Sequence, residues 1–167
     1  DMALDWRQLP SIPDPLGVAG PYAGVSGDAL IVAGGANFPD KMPWEGGRKV
    51  WHDTAFVLDK TNGTWRGAFK LPKPLGYGVS VTTPDGVLCI GGNDATQHVR
   101  DVFLLAWKNG ELKHKEFAPL PEPLANSCGA VVGHTVYVAG GTTAPDATNA
   151  MKNFWSLDLK KRGAKWK

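Results

Sequence analysis

The sequence predicts an all-β fold built from a repeated sheet unit. Three observations carry that prediction. Apolar runs of 4–7 residues recur along the chain, rich in Val, Ile, Leu and aromatics. That is the length and composition of a buried strand. A pair of glycines closes such a run three times, at Gly34-Gly35, Gly91-Gly92 and Gly140-Gly141. Finally, 21 Gly and 13 Pro in 167 residues punctuate the chain too often for long helices.

The elements follow in order. The runs before the double glycines are Ala29–Ala33, Val87–Ile90 and Val136–Ala139. The last glycines of successive pairs stand 57 and 49 residues apart. A Leu-Pro followed by a Pro-Leu marks each unit: Leu9-Pro10 with Pro15-Leu16, Leu71-Pro72 with Pro74-Leu75, Leu120-Pro121 with Pro123-Leu124. An aromatic precedes each Leu-Pro, as Trp6, Trp65 and Phe117, and Trp166 recurs without one. Another apolar strand follows each double glycine: Thr54–Leu58, Asp101–Trp107 and Phe154–Leu159. Markers in this order and at this period resemble kelch repeats, whose unit is one four-stranded blade of a β-propeller. A β-sandwich with coincidental glycine pairs would not repeat four ordered markers.

The units read as blade one over 21–69, blade two over 77–117 and blade three over 127–167. Residues 3–9 read as an orphan outer strand. The expectation is a kelch-type β-propeller, three four-stranded blades of six, a half propeller. Three blades alone leave two apolar faces in water, which soluble monomers avoid. Two explanations stand: the chain is the remainder-lacking half of a longer propeller, or a homodimer completes six blades about a two-fold axis. The start at Asp1 reads as a chain processed, tagged or cut from something longer.

Composition narrows the function. Apolar residues make up 43% and charged residues 20%, enough for a buried core. The net charge is +2, and Lys160-Lys161-Arg162 is the one basic run, so no nucleic-acid partner is expected. No apolar run reaches the roughly 18 residues of a membrane span, so no membrane partner is expected. Two cysteines make no disulfide framework or metal knuckle; Cys89 reads as a buried hydrophobe and Cys128 as a free thiol.

Chemistry is expected in the loops after the double glycines. They run 18 positions from Gly35 to Asp53, nine from Gly92 to Asp101 and twelve from Gly141 to Asn153. The first is long for a compact domain, and such loops are often functional. It offers Glu45, Arg48 and His52, and the second loop offers Asp94, His98 and Arg100. Bland readings stand beside these. The arginines can pair with Asp53 and Asp101, Glu45 can cap a turn, and either histidine can be a satisfied neighbour of a strand. Asn37 and Asn93 follow double glycines, where Asn tolerates left-handed backbone. Trp44 and Trp51 can wall a sugar or pack between blades.

The run Gly34-Gly35-Ala36-Asn37-Phe38-Pro39-Asp40, followed by Pro43-Trp44-Glu45-Gly46-Gly47-Arg48-Lys49-Val50-Trp51-His52-Asp53, resembles bacterial N-acetylneuraminate (sialic acid) epimerases, or mutarotases, nearest their cyclically permuted branch. The resemblance implies a six-bladed propeller that interconverts the α and β anomers of the free sugar acid. Mutarotation needs a base for the anomeric hydroxyl proton and an acid for the ring oxygen. The sugar's carboxylate also calls for a cation. The resemblance implies catalytic roles among Glu45, Arg48, His52 and Arg100, and substrate contacts from Asn37, Asn93, Asp94 and His98. It implies an Arg shortly after a double glycine, matched by Arg100, with an acid nearby. Asn93 stands where some relatives carry an acid, so Glu45 or a group outside these blades must supply it. No metal and no organic cofactor is expected; the partner is a small-molecule sugar acid, met in a periplasmic or secreted setting.

Two other functional classes share this architecture. A non-catalytic module binding a protein or glycan at the channel mouth has no need of Arg, Glu and His in one polar loop. A copper oxidase of the galactose oxidase type needs a cluster of His, Tyr and a Cys-modified Tyr, and three Tyr with four His offer no such spacing.

Overall fold

The computed structural model describes residues 4–59 and 63–167. It is a kelch-type β-propeller segment of three blades. In the first blade, β1 (Tyr22–Ser26) and β2 (Ala29–Ala33) form a hairpin. The long loop follows and carries a two-residue ribbon, β3 (Ala36–Asn37) with β4 (Val50–Trp51), around a 3-10 turn at Pro43–Glu45. Then β5 (Thr54–Asp59) and β6 (Thr64–Lys70) complete the sheet in the order β1-β2-β5-β6. The second blade repeats this with β7 (Val79–Thr83), β8 (Gly86–Ile90), β9 (Val102–Lys108) and β10 (Glu111–Glu116). The third has β11 (Cys128–Val132), β12 (Thr135–Ala139) and β13 (Phe154–Asp158).

The third sheet is thus three-stranded where four strands are expected. Its outer position is filled only at Lys167, which exchanges two backbone hydrogen bonds with Ser156, at 3.0 Å each. Trp166 turns its indole inward instead, 8% exposed, and donates Nε1–H to the Ala118 carbonyl. Over residues 4–9 the expected outer strand is absent: this stretch has no strand pairing and leaves Leu4, Trp6 and Leu9 exposed. Ala3 lies outside the described residues. Pro10, just after it, accepts a hydrogen bond from the Trp65 indole on the first blade.

Two apolar layers hold the blades together, each a seam between neighbours. Tyr22, Ile31, Ala33 and Val57 of the first blade meet Val87, Cys89, Phe103 and Leu105 of the second. Val81, Leu88, Ile90 and Leu104 of the second meet Val136, Val138 and Leu157 of the third. Strand alternation explains this, because residues i and i+2 share a face. In β7, Val79 and Val81 join the second seam, whereas Ser80 and Thr82 turn to the first and accept hydrogen bonds from Ala23 N–H and Val25 N–H, both at 3.0 Å.

The double glycines let the blades approach. Gly34 and Gly91 have φ of 69° and 60°, which glycine adopts without the cost an L side chain meets. A Cβ on Gly34 would collide with the Leu75 carbonyl, and one on Gly91 with the Leu124 carbonyl. Those carbonyls belong to the Pro-Leu pairs, so the two repeat markers are two sides of one contact.

The aromatic marker needs a correction. The residue equivalent to Phe117 is Phe69, not Trp65: Phe69 opposes Ala55, and Phe117 donates its N–H to the Val102 carbonyl, at matching points in the two sheets. A register shift between Ala55 and Val57 hides this in the sequence. Cys128 is equivalent to Tyr22 and Val79, opposite Ala139, Ala33 and Ile90.

Candidate functional site

Each double glycine is followed by a residue that bridges back to the chain just before a first strand. The bridges are Ala19 with Ala36, Gly76 with Asn93, and Ala125 with Thr142. Beside them runs a second ladder. Tyr77 N–H donates to Gly20 O at 2.7 Å, and Asn126 N–H donates to Tyr77 O at 2.9 Å. Gly20, Tyr77 and Asn126 all have positive φ, at 62°, 59° and 55°. These three equivalent residues link the blades at the end of the molecule where the post-glycine loops gather.

Two side-chain staples cross the seams at that end. Trp51 donates Nε1–H to Asn93 Oδ1 at 2.9 Å, joining blades one and two. His98 Nε2 meets Thr142 Oγ1 at 3.0 Å, joining blades two and three. Trp51 and His98 are equivalent, since the residue after each donates its N–H to the second glycine's carbonyl. His98 is buried, its Nδ1 has no partner, and desolvation lowers its pKa below the ordinary histidine value. It is held neutral within the seam. Asp94 accepts from Thr96 N–H, Thr96 Oγ1–H and Gln97 N–H, folding the second loop on itself. Burial pushes its carboxyl up, but these hydrogen bonds outweigh that and leave the pKa lowered.

The first loop builds a different arrangement. Asn37 donates Nδ2–H to the Gly17 carbonyl at 2.9 Å, which fixes its amide. Its Oδ1 then faces His52 Nε2 at 2.8 Å. An amide oxygen only accepts, so the neutral imidazole carries its proton on Nε2 and keeps a lone pair on Nδ1. Lys49 lies among three aromatic rings, 5.7 Å from the centroid of Phe38, 5.5 Å from Trp51 and 4.7 Å from Tyr77. Its Nζ donates to the Tyr77 hydroxyl at 3.2 Å. A groove of about 460 Å³ opens beside them, lined by Leu16, Ala36, Asn37, Phe38, Lys49 and Tyr77 among others.

Of the expected site residues, Asn37 and His52 are brought together here. Asn93 and His98 sit close by as seam staples. Asp94 shapes its own loop. Glu45 is exposed and caps the 3-10 turn, its Oε2 accepting from Met42 N–H at 3.2 Å. Arg48 is exposed. Arg100 donates Nε–H to the Leu120 carbonyl at 2.6 Å, tied to the Leu-Pro side. Neither arginine takes the acid suggested beside it in sequence: Asp53 pairs with Lys70 and Asp101 with Lys73, both at 2.5 Å. Sequence reading passed over Lys49, Tyr77 and Thr142. A lysine flanked by aromatics at 38 and 51 was the signal available for Lys49; Tyr77, 28 residues away, gave none. Among the described residues, no group of three or more His, Cys, Asp or Glu could hold a metal ion.

The family model described as N-acetylneuraminate epimerase matches residues 1–113, more than half of the chain. The chain belongs to the N-acetylneuraminate epimerase family. The match takes in blade one, the long loop and most of blade two. An N-acetylneuraminate epimerase of Brucella suis is 39% identical over 124 residues, which is 64% of this chain and 31% of that protein. One of Yersinia pestis is 40% identical over 125 residues, 65% of this chain and 31% of that protein. The chain matches about a third of the length of these curated relatives. A solved structure of YjhT aligns over 97% of this chain and 48% of its own, with a TM-score of 0.72 at 18% identity, a likeness of fold. That likeness reaches blade three, beyond the family match.

Proposed function

We propose that this chain contributes to an epimerase that interconverts the α and β anomers of free N-acetylneuraminate. The observation that carries the reading is the Asn37–His52 hydrogen bond, with Asn37 itself lining the groove, within the stretch matched by the family model. Mutarotation breaks the bond between the anomeric carbon and the ring oxygen. The anomeric hydroxyl gives up its proton as it becomes the keto group, and the ring oxygen gains one. The open chain then recloses on either face. His52 suits the first transfer: with Nε2–H committed to Asn37, Nδ1 keeps the lone pair that can take the proton. Asn37 also steadies the imidazolium that forms. The acid for the ring oxygen comes from outside this pair, from the loop carrying Glu45 or from further blades. The two open sheet faces support a working ring with more blades than these three.

Proton NMR of freshly released α-N-acetylneuraminate tests this. The assembled protein is expected to speed the appearance of the β anomer. A six-bladed particle with no effect on the rate would overturn the reading. His52→Gln, in a protein that melts like wild type, is expected to slow exchange about 10²-fold or more, the scale of one general base. Unchanged exchange would remove His52 from the mechanism.

A further inference from the structure

We infer that Lys49 and the Tyr77 hydroxyl together form an anion cradle for the carboxylate of the substrate, in place of Arg48 or Arg100. The inference rests on the sugar-acid reading for its ligand and on separate geometry for its site. Lysine has donors only, so in the 3.2 Å contact it is Lys49 Nζ that gives the hydrogen and the Tyr77 oxygen that accepts. The phenolic proton is thereby left to donate elsewhere. Two donors side by side, one of them cationic, suit a carboxylate's two oxygens. Among the described residues, no carboxylate pairs with Lys49. Three ring faces hold its charge in one place, and each such contact orients a cation without neutralising it. Leu16, Val18 and Phe38 give the groove an apolar wall beside this cation, and its volume of about 460 Å³ suits a small sugar.

The backbone at Tyr77 is a second, independent argument. Its φ of 59° is the left-handed region, uncommon for an aromatic residue. The equivalent positions in the other blades carry Gly20 and Asn126, the residue types that tolerate it. A tyrosine at this position bears a conformational cost that glycine or asparagine would avoid. Its ring lies over Gly20, where an added Cβ would come within 2.7 Å of it, so the neighbouring blade leaves room for the ring. Strained residues cluster at ligand clamps, where the surrounding fold holds them.

The test is a two-dimensional NMR titration of the 167-residue chain, following the Trp51 indole N–H and the Tyr77 amide. The probes are N-acetylneuraminate, its carboxyl methyl ester and acetate. Wild type is expected to bind the acid about tenfold or more tightly than the ester, the scale of one charge-assisted hydrogen bond. Lys49→Met, which keeps the aliphatic stem, is expected to bind both alike. Tyr77→Phe, which keeps the ring, is expected to narrow the gap, and Lys49→Arg to retain part of it. If Lys49→Met still prefers the acid, the cradle is overturned and the epimerase reading stands. If acetate moves these signals in wild type but not in Lys49→Met while neither sugar does, the cradle stands and the sugar reading fails. If no probe moves them, the cradle is overturned.

Discussion

The seam between the first two blades and the outward faces at the two ends are made from the same kind of strand. In the seam, Tyr22, Ile31, Val57, Val87 and Phe103 are each at most 4% exposed. On the outer face of blade three, Val132 and Phe154 are 67% and 69% exposed, and Val25 on the outer face of blade one is 43% exposed. Each end presents the face that neighbouring blades bury inside the molecule. Cys128, exposed on blade three, is equivalent to Tyr22 and Val79, both buried against the next blade. A blade therefore has two apolar faces by construction. Hydrophobic burial is completed by neighbours rather than within the unit, as in other repeat folds.

Two phenylalanines in equivalent strands separate seam from open face. Phe103→Ala, in the seam and edge-on to Tyr22 at 5.6 Å, is expected to cost about 3–5 kcal/mol in denaturant unfolding. Phe154→Ala, on the open face, is expected to stay within about 0.5 kcal/mol of wild type. Equal losses would mean that the open face is covered in solution.

Two glycines carry the same contrast at smaller scale. Gly91→Ala must move the Leu124 carbonyl as well as bear a left-handed backbone, and a loss of about 3 kcal/mol is expected. Gly140→Ala meets nothing within 4 Å, and only the backbone cost of about 1–2 kcal/mol remains. Matching melting temperatures for the two variants would contradict the seam geometry.

The smallest effect is one of pH. Burial holds His98 below its ordinary pKa, so the unfolded chain takes up its proton first. Its contribution to stability is full above the unfolded value of about 6.5 and is lost as pH falls through the folded value. His98→Gln is expected to flatten that part of the melting profile below about pH 6.5. A profile unchanged by the substitution would show that the staple to Thr142 carries no titration.

Much of this was legible in the chain itself. The double glycines and Pro-Leu pairs could be read because each meets a local demand, a positive φ or a fixed turn. That they touch one another, Gly34 against Leu75, could not be read, because 41 positions separate them. The aromatic marker failed at Trp65 because one register shift in β5 and β6 moves the equivalence to Phe69. At the site, Asn37 and His52 were singled out separately. Their pairing depends on a ribbon only two residues long on each strand, β3 with β4, which no periodicity announces.

The blade repeat, the strand runs, the long first loop and the likeness to sialic acid epimerases can all be read from the chain alone. Those depend on local patterns: alternation, turn residues and motif order. Which polar residues staple the seams and which do not follows from the fold. His98 and His52 look alike in sequence, each in a post-glycine loop shortly before a strand. One is sealed between blades against Thr142, while the other is half-buried with its tautomer held by Asn37. What separates them is the position of neighbours 44 and 15 residues away, and burial, not residue type, sets what each imidazole can do.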